Sequence, residues 1–183
     1  MCIRDRFCLD GLGSRRPSAV GTSIAAVVGL VAITPAAGFV SPLSAMAIGS
    51  IAAVVSRTCM KLLGRTRLDD TLDVFACHGL GGITGALLTG VFASTAVNPS
   101  GADGLLFGGG LELLGAQTIS VLAGTMLAAV GTVAVLIVVR AMSGLRTSPH
   151  AEAIGLDVAE HAEAAYTLDT LVAQTPLRKE LMP

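Results

Sequence analysis

Three long stretches without a single Lys, Arg, Asp or Glu govern what this chain can fold into. They cover residues 17–56, 74–102 and 113–139. A helix that crosses a bilayer needs about 20 mostly apolar residues to span about 30 Å of hydrocarbon. Each stretch exceeds that length. A soluble helical bundle would need polar outer faces at helical spacing, and these runs offer none. Hydrophobic residues make up 52% of the chain and charged residues 14%, where a soluble domain is about a quarter charged. The mean hydropathy is +0.75. The expected fold class is therefore all-α and integral to a membrane.

Four spans are predicted within these runs, at about 18–37, 42–60, 73–93 and 111–140. Pro17 suits the first helical position of span one, because the N–H it lacks has no helical partner there. Pro35 biases Thr34 away from helix near the far end, and Gly38 follows as a stop. The fourth span is longer than the hydrocarbon at about 1.5 Å per residue, so it should tilt or project. Arg15 and Arg16 precede span one, Arg57, Lys61, Arg65 and Arg67 separate spans two and three, and Arg140 and Arg146 follow span four. The loops after spans one and three carry no basic residue. By the positive-inside rule, the N-terminus, the middle loop and the tail are cytoplasmic, and the chain is a multi-pass protein of the cell membrane. Residues 147–183 form a charged cytosolic tail, in which Asp157 and Glu160 resemble a capping-box helix start.

His78 is the one His, Lys, Arg, Asp or Glu between residues 74 and 93. An ionisable group at membrane depth is costly, so its default reading is a pathway or relay residue. A structural His bonded to a helix carbonyl is the alternative, and placement alone leaves both open. Small residues four apart mark packing faces, as in Gly21, Ala25 and Gly29 or in Ala45, Gly49 and Ala53. On span three, His78, Gly82, Gly85 and Thr89 fall on one face of an ideal helix, so His78 is expected to face protein or a cavity rather than lipid. Asp73 reads as a helix N-cap, with a pore role as the alternative. Asp69 and Asp70 read as interfacial groups near Arg65 and Arg67. Thr34 reads as a stabiliser of the kink beside Pro35 or as a ligand.

Other chemistries find little support. The net charge of −1 and the lack of a basic stripe argue against nucleic-acid binding. Cys2, Cys8, Cys59 and Cys77 show no CxxC or metal-like spacing and are expected to be free thiols. Cys77 and His78 adjoin, but neighbours on a helix point about 100° apart. Gly79, Gly81, Gly82 and Gly85 lie inside an apolar span with no following Lys-Ser/Thr pair, so they are not a phosphate loop. No Ser–His–acid or metal constellation suggests an enzyme. His150 and His161 read as surface residues. No metal or cofactor is expected. Residues 1–15 lack the apolar core of a signal peptide.

The segments GLVAITPAAGFV (29–40), LDDTLDVFACHGLGGITGALLTGVFA (68–93) and GLDVAEHAEAAY (155–166) resemble ammonium transporters of the ammonium transporter/Rhesus superfamily. They occur in the family's order and at its spacing. The resemblance covers about residues 16–166 and leaves 1–15 as a leader, read as a spurious start. It implies an eleven-helix fold made of two five-helix inverted repeats and a last long helix, assembled as a homotrimer with a pore through each protomer. This chain would supply helices 8–11 and the cytosolic tail, as a C-terminal fragment inactive alone. The resemblance implies a substrate pathway for ammonium and ammonia that includes His78, Val74 and Thr34. His78 matches the second histidine of the pore pair, Asp73 and Asp70 belong to the start of that helix, and Pro35 belongs with Thr34 to the TP of helix eight. His161 and Tyr166 belong to a tail motif implied to dock, in which Ala162 stands where the family usually has Gly. The first pore histidine, the external recruitment residues and the Phe gate belong to helices absent from this chain. Two other readings stay open. One is a regulatory piece whose tail docks on protomers or on a PII-type nitrogen sensor. The other is a generic secondary transporter built from repeats.

Overall fold

A computed structural model describes residues 19–68, 70, 72–143 and 145–163. Among these residues the secondary structure is helical, with no strand. Helix α1 runs Ala19–Ile33 and closes in a 3-10 turn at Thr34–Ala36. Helix α2 runs Pro42–Leu63. A π-helical turn, Phe75–Gly79, leads into α3, Leu80–Phe92. A 3-10 turn at Leu105–Phe107 precedes α4, Glu112–Met142. Two short helices follow, α5 (Pro149–Ile154) and α6 (Leu156–His161). Two compact units divide within α4, after Ala129.

Three stretches are long and apolar enough to cross a membrane: Pro42–Leu63, Phe75–Phe92 and Glu112–Met142. Four were expected. The remaining apolar helix, Gly21–Ala36, is shorter among the described residues. Pro35 is the local reason it stops: Pro has no N–H to continue the ladder, and the Thr34 hydroxyl turns back to the Leu30 carbonyl at 2.7 Å. Helix α2 starts cleanly because Ser41 Oγ accepts the Ser44 N–H at 3.2 Å and Pro42 occupies the first turn.

In the first unit, α1 and α3 run parallel. Val28 and Val31 lie over Gly81, Ala32 lies over Gly85, and Pro35 shares a cavity wall with Thr89. The end of α2, at Cys59 and Leu62, shares a groove with Leu80 at the start of α3, so α2 runs the other way. The core joins Val28, Ala32 and Ala36 to Ile48 and Ala52 of α2 and to Cys77. It is built largely from small side chains, which allow backbones to approach where the surrounding medium exerts no hydrophobic force between helices. A Cβ built on Gly85 would lie 2.9 Å from the Ala32 Cα, and one on Gly90 would lie 2.7 Å from the Leu114 Cα. Only glycine fits at these two crossings. The Gly90 contact also brings the start of α4 against the end of α3.

The second unit holds the rest of α4 with α5 and α6. Ser148 caps α5 by accepting the Ala151 N–H at 3.2 Å. Arg146 and Glu152 form a 3.1 Å ion pair that is open to solvent, worth at most about 1 kcal/mol. The capping box expected at Asp157 and Glu160 does not form. Helix α6 begins at Leu156, and its cap position is Gly155, which has no side chain to offer. Ala162 ends α6 with φ of +54°, in the left-handed turn that Gly adopts more readily.

Candidate functional site

The site begins at the approach to α3. Asp70 Oδ1 accepts the Val74 N–H at 2.9 Å, and Oδ2 accepts the Phe75 N–H at 3.1 Å. The Asp70 carbonyl takes the Asp73 N–H at 3.0 Å. The capping carboxylate is therefore Asp70, where Asp73 was expected. The reason is backbone geometry. Asp73 turns through φ of +54°, and that reversal presents the following N–H groups to Asp70. The Asp73 carbonyl then accepts the Cys77 N–H at 2.9 Å, as in an ordinary helix.

The regular ladder breaks one step later. The Leu80 N–H donates to Phe75, five residues back, so the Phe75–Gly79 turn holds one residue more than an α-turn would. This changes which side chains face inward. Ala76 and Cys77 are buried at 0% and 4% exposure, while His78 is exposed. Gly85 and Thr89 are buried and Gly82 is half-buried. The single face expected for His78, Gly82, Gly85 and Thr89 thus loses its first member. That expectation assumed an uninterrupted 100° step, which the π turn interrupts. Val74, one turn before His78, is also exposed.

Other expected site residues lie elsewhere. Thr34 is exposed and spends its hydroxyl on the Leu30 carbonyl. Pro35 lines a cavity of about 220 Å³ with Phe39, Thr89, Ala93 and Gln117, at the opposite end of α3 from His78. The structure therefore groups His78 and Val74 with Asp70 and Asp73, and places the Thr34–Pro35 turn at another level. His161 is exposed at the end of α6. Tyr166 lies outside the described residues. No group of three or more His, Cys, Asp or Glu suited to a metal ion occurs among the described residues.

One polar cluster carries no signal in the sequence reading. In the loop after α3, the Asp103 carboxylate accepts the Thr95 N–H at 2.7 Å and the Thr95 hydroxyl at 2.9 Å. The Thr95 backbone bond, then its hydroxyl, hold the Asp103 pKa below the ordinary value, with a smaller contribution from the Ser94 hydroxyl and partial desolvation opposing them. The two partners are separated by the Asn98-Pro99-Ser100-Gly101 turn, and nothing in their spacing marks them as a pair.

Comparison with known proteins agrees with this helical arrangement. The family model described as Ammonium Transporter Family matches residues 7–166, beginning inside the stretch read above as a leader. An ammonium transporter of Corynebacterium glutamicum is 40% identical over 157 residues, covering 86% of this chain and 34% of the relative. One of Aquifex aeolicus is 44% identical over 154 residues, covering 84% of this chain and 36% of the relative. The crystal structure of Saccharomyces cerevisiae Mep2 superposes with a TM-score of 0.73 at 30% identity, over 81% of this chain and 35% of that one. The chain spans about a third of the length of these relatives. With a family match over most of its length and an all-helical fold shared with a solved relative, this chain belongs to the ammonium transporter family.

Proposed function

We propose that this chain forms part of a cell-membrane pathway for ammonium and ammonia, with His78 as one half of a hydrogen-bonding relay and the tail on the cytoplasmic side. The supporting observation is the exposure of His78. It is the one His on the three candidate spans, and the chain's own packing leaves its ring open to further helices. Bare ammonium is poorly solvated in hydrocarbon, so a low-cost route separates the proton from ammonia. Imidazole suits that step because the neutral ring offers one donor and one acceptor. A second ring would complete the relay, and it would come from outside this chain. The chain alone therefore does not conduct. In the complete assembly, which we take to be a homotrimer, the exposed α5–α6 segment with His161 serves as a cytoplasmic docking element for neighbouring protomers or a PII-type sensor.

Methylammonium uptake in cells stripped of their own ammonium transporters tests this reading. The chain alone should give no uptake. Grafted in place of the matching third of the Corynebacterium glutamicum relative, it should restore uptake, and His78→Ala in the graft should abolish it. Undiminished uptake by the His78→Ala graft would overturn the relay, and saturable uptake by the isolated chain would overturn its dependence on a partner.

A further inference from the structure

The five-residue turn that carries His78 has a consequence for how that side chain is held. In an uninterrupted helix leading into α3, positions 77 and 78 would precede Gly81 on the buried side, and position 78 would share the face of Gly82, Gly85 and Thr89. The observed buried pair is instead Ala76 and Cys77. Each stands one place earlier in the sequence than the ideal register requires. The bond from the Leu80 N–H to the Phe75 carbonyl absorbs the difference. A single added residue, accommodated without shifting either flank, has the geometry of a π-bulge. The flanks are both fixed: Asp70 caps the start through Val74 and Phe75, and Gly85 locks the following helix against Ala32. The ring of Phe75 lies over Gly79, where an added Cβ would stand 3.1 Å from its Cδ2. Glycine at 79 gives that ring room to lie along the turn.

We propose that the Phe75–Gly79 π turn is a one-residue insertion whose role is to position His78, lifting the imidazole out of the small-residue packing face while Ala76 and Cys77 fill that face. The proposal rests on reading His78 as a pathway residue, but its geometry can be tested without transport. It makes His78 the one residue in this segment that can be deleted without disturbing the packing. Removing it leaves Ala76 and Cys77 directly before Gly79, in the register of a plain α-helix and in the positions they already occupy.

The test uses thiol accessibility in the full chain, in membranes, with a water-soluble maleimide and with Cys2, Cys8 and Cys59 replaced by Ser. Native Cys77 should be protected. A thiol introduced by His78→Cys, with Cys77→Ala, should react on the order of tenfold faster. Deleting Ala76 from that double variant restores the native order of side chains with the histidine left out, so it adds no volume to the core. Its thiol should fall to the slow rate of Cys77. Separately, deleting His78 should leave the detergent melting temperature and Cys77 protection unchanged, whereas deleting Leu87 from the regular part of α3 should lower both. Equal labelling at positions 77 and 78, fast labelling that survives the Ala76 deletion, or a His78 deletion as damaging as that of Leu87 would each overturn the proposal. Loss of the ammonium reading alone would leave this labelling pattern intact.

Discussion

Helices α3 and α4 are both apolar, and their surroundings differ sharply. Helix α3 buries Gly81, Gly85, Thr89 and Gly90, all small. The most apolar 18-residue window of α4 has a mean hydropathy of 2.4, against 1.4 for the Phe75–Phe92 stretch that contains α3, yet none of the residues of α4 is buried. In a soluble protein the ranking would be reversed, because apolar area is what folding removes from water. Here the large apolar side chains of α4, such as Leu122, Met126, Leu127 and Val130, all stand exposed. Apolarity in this chain marks compatibility with lipid, and smallness marks contact between helices.

The largest effect should come from adding one methyl group to each helix. At Gly85 the new Cβ meets the Ala32 backbone, 2.8 Å from its carbonyl carbon and 2.9 Å from its Cα. Backbone cannot swing aside as a side chain can, so Gly85→Ala should destabilise the α1–α3 contact by about 3 kcal/mol. At Gly124 of α4 nothing lies within 4 Å. There Gly124→Ala should stabilise the helix by about 1 kcal/mol, through lower backbone entropy in the unfolded chain. Thermal unfolding in detergent, followed by circular dichroism, reads both. Equal effects at the two sites would erase the distinction between a packed face and an open one.

A smaller effect is expected where α3 begins. Asp70→Ala removes the acceptor for two helical N–H groups and should cost about 1–2 kcal/mol. Asp73 invites the opposite change. It holds φ of +54°, so Asp73→Gly should be neutral or stabilising by up to about 1 kcal/mol. The same melting measurement separates them, and a larger loss at Asp73 than at Asp70 would return the cap to Asp73.

This pair of aspartates shows what the sequence made legible. The spans could be located because charge is absent over long runs, and the end of the first because Pro35 and Gly38 have strong local preferences. His78 could be picked out because it is the one His, Lys, Arg, Asp or Glu in its apolar run. Its direction could not. The helical wheel assumes a constant step, and no residue in FACHG announces a π turn. That Asp70 rather than Asp73 caps the helix likewise depends on a single backbone angle, which composition does not set. The Asp103–Thr95 pair was invisible because its partners meet only after the loop folds back on itself.

That pair supplies the smallest effect, confined to the loop that joins the two contrasted helices. The Asp103 carboxyl is held below its ordinary value of 3.8 by accepting from Thr95 and Ser94. A depressed carboxyl stabilises the folded loop above its unfolded pKa, and the contribution is lost as pH falls through the folded value. The loop should therefore be unaffected from pH 7 down to about pH 5, begin to loosen near pH 4, and lose the contribution below the depressed value. Amide exchange at Thr95, whose N–H the carboxylate holds at 2.7 Å, is the direct readout. Asp103→Asn should abolish this pH dependence and speed exchange at neutral pH, because the amide replaces one acceptor with a donor. The Thr89 amide, inside α3, serves as the internal reference, since its protection derives from the packed helix. If Thr95 and Thr89 lost protection together on acidification, the loop and α3 would be one cooperative unit, and the contrast between α3 and α4 would begin at the loop rather than at the helix faces.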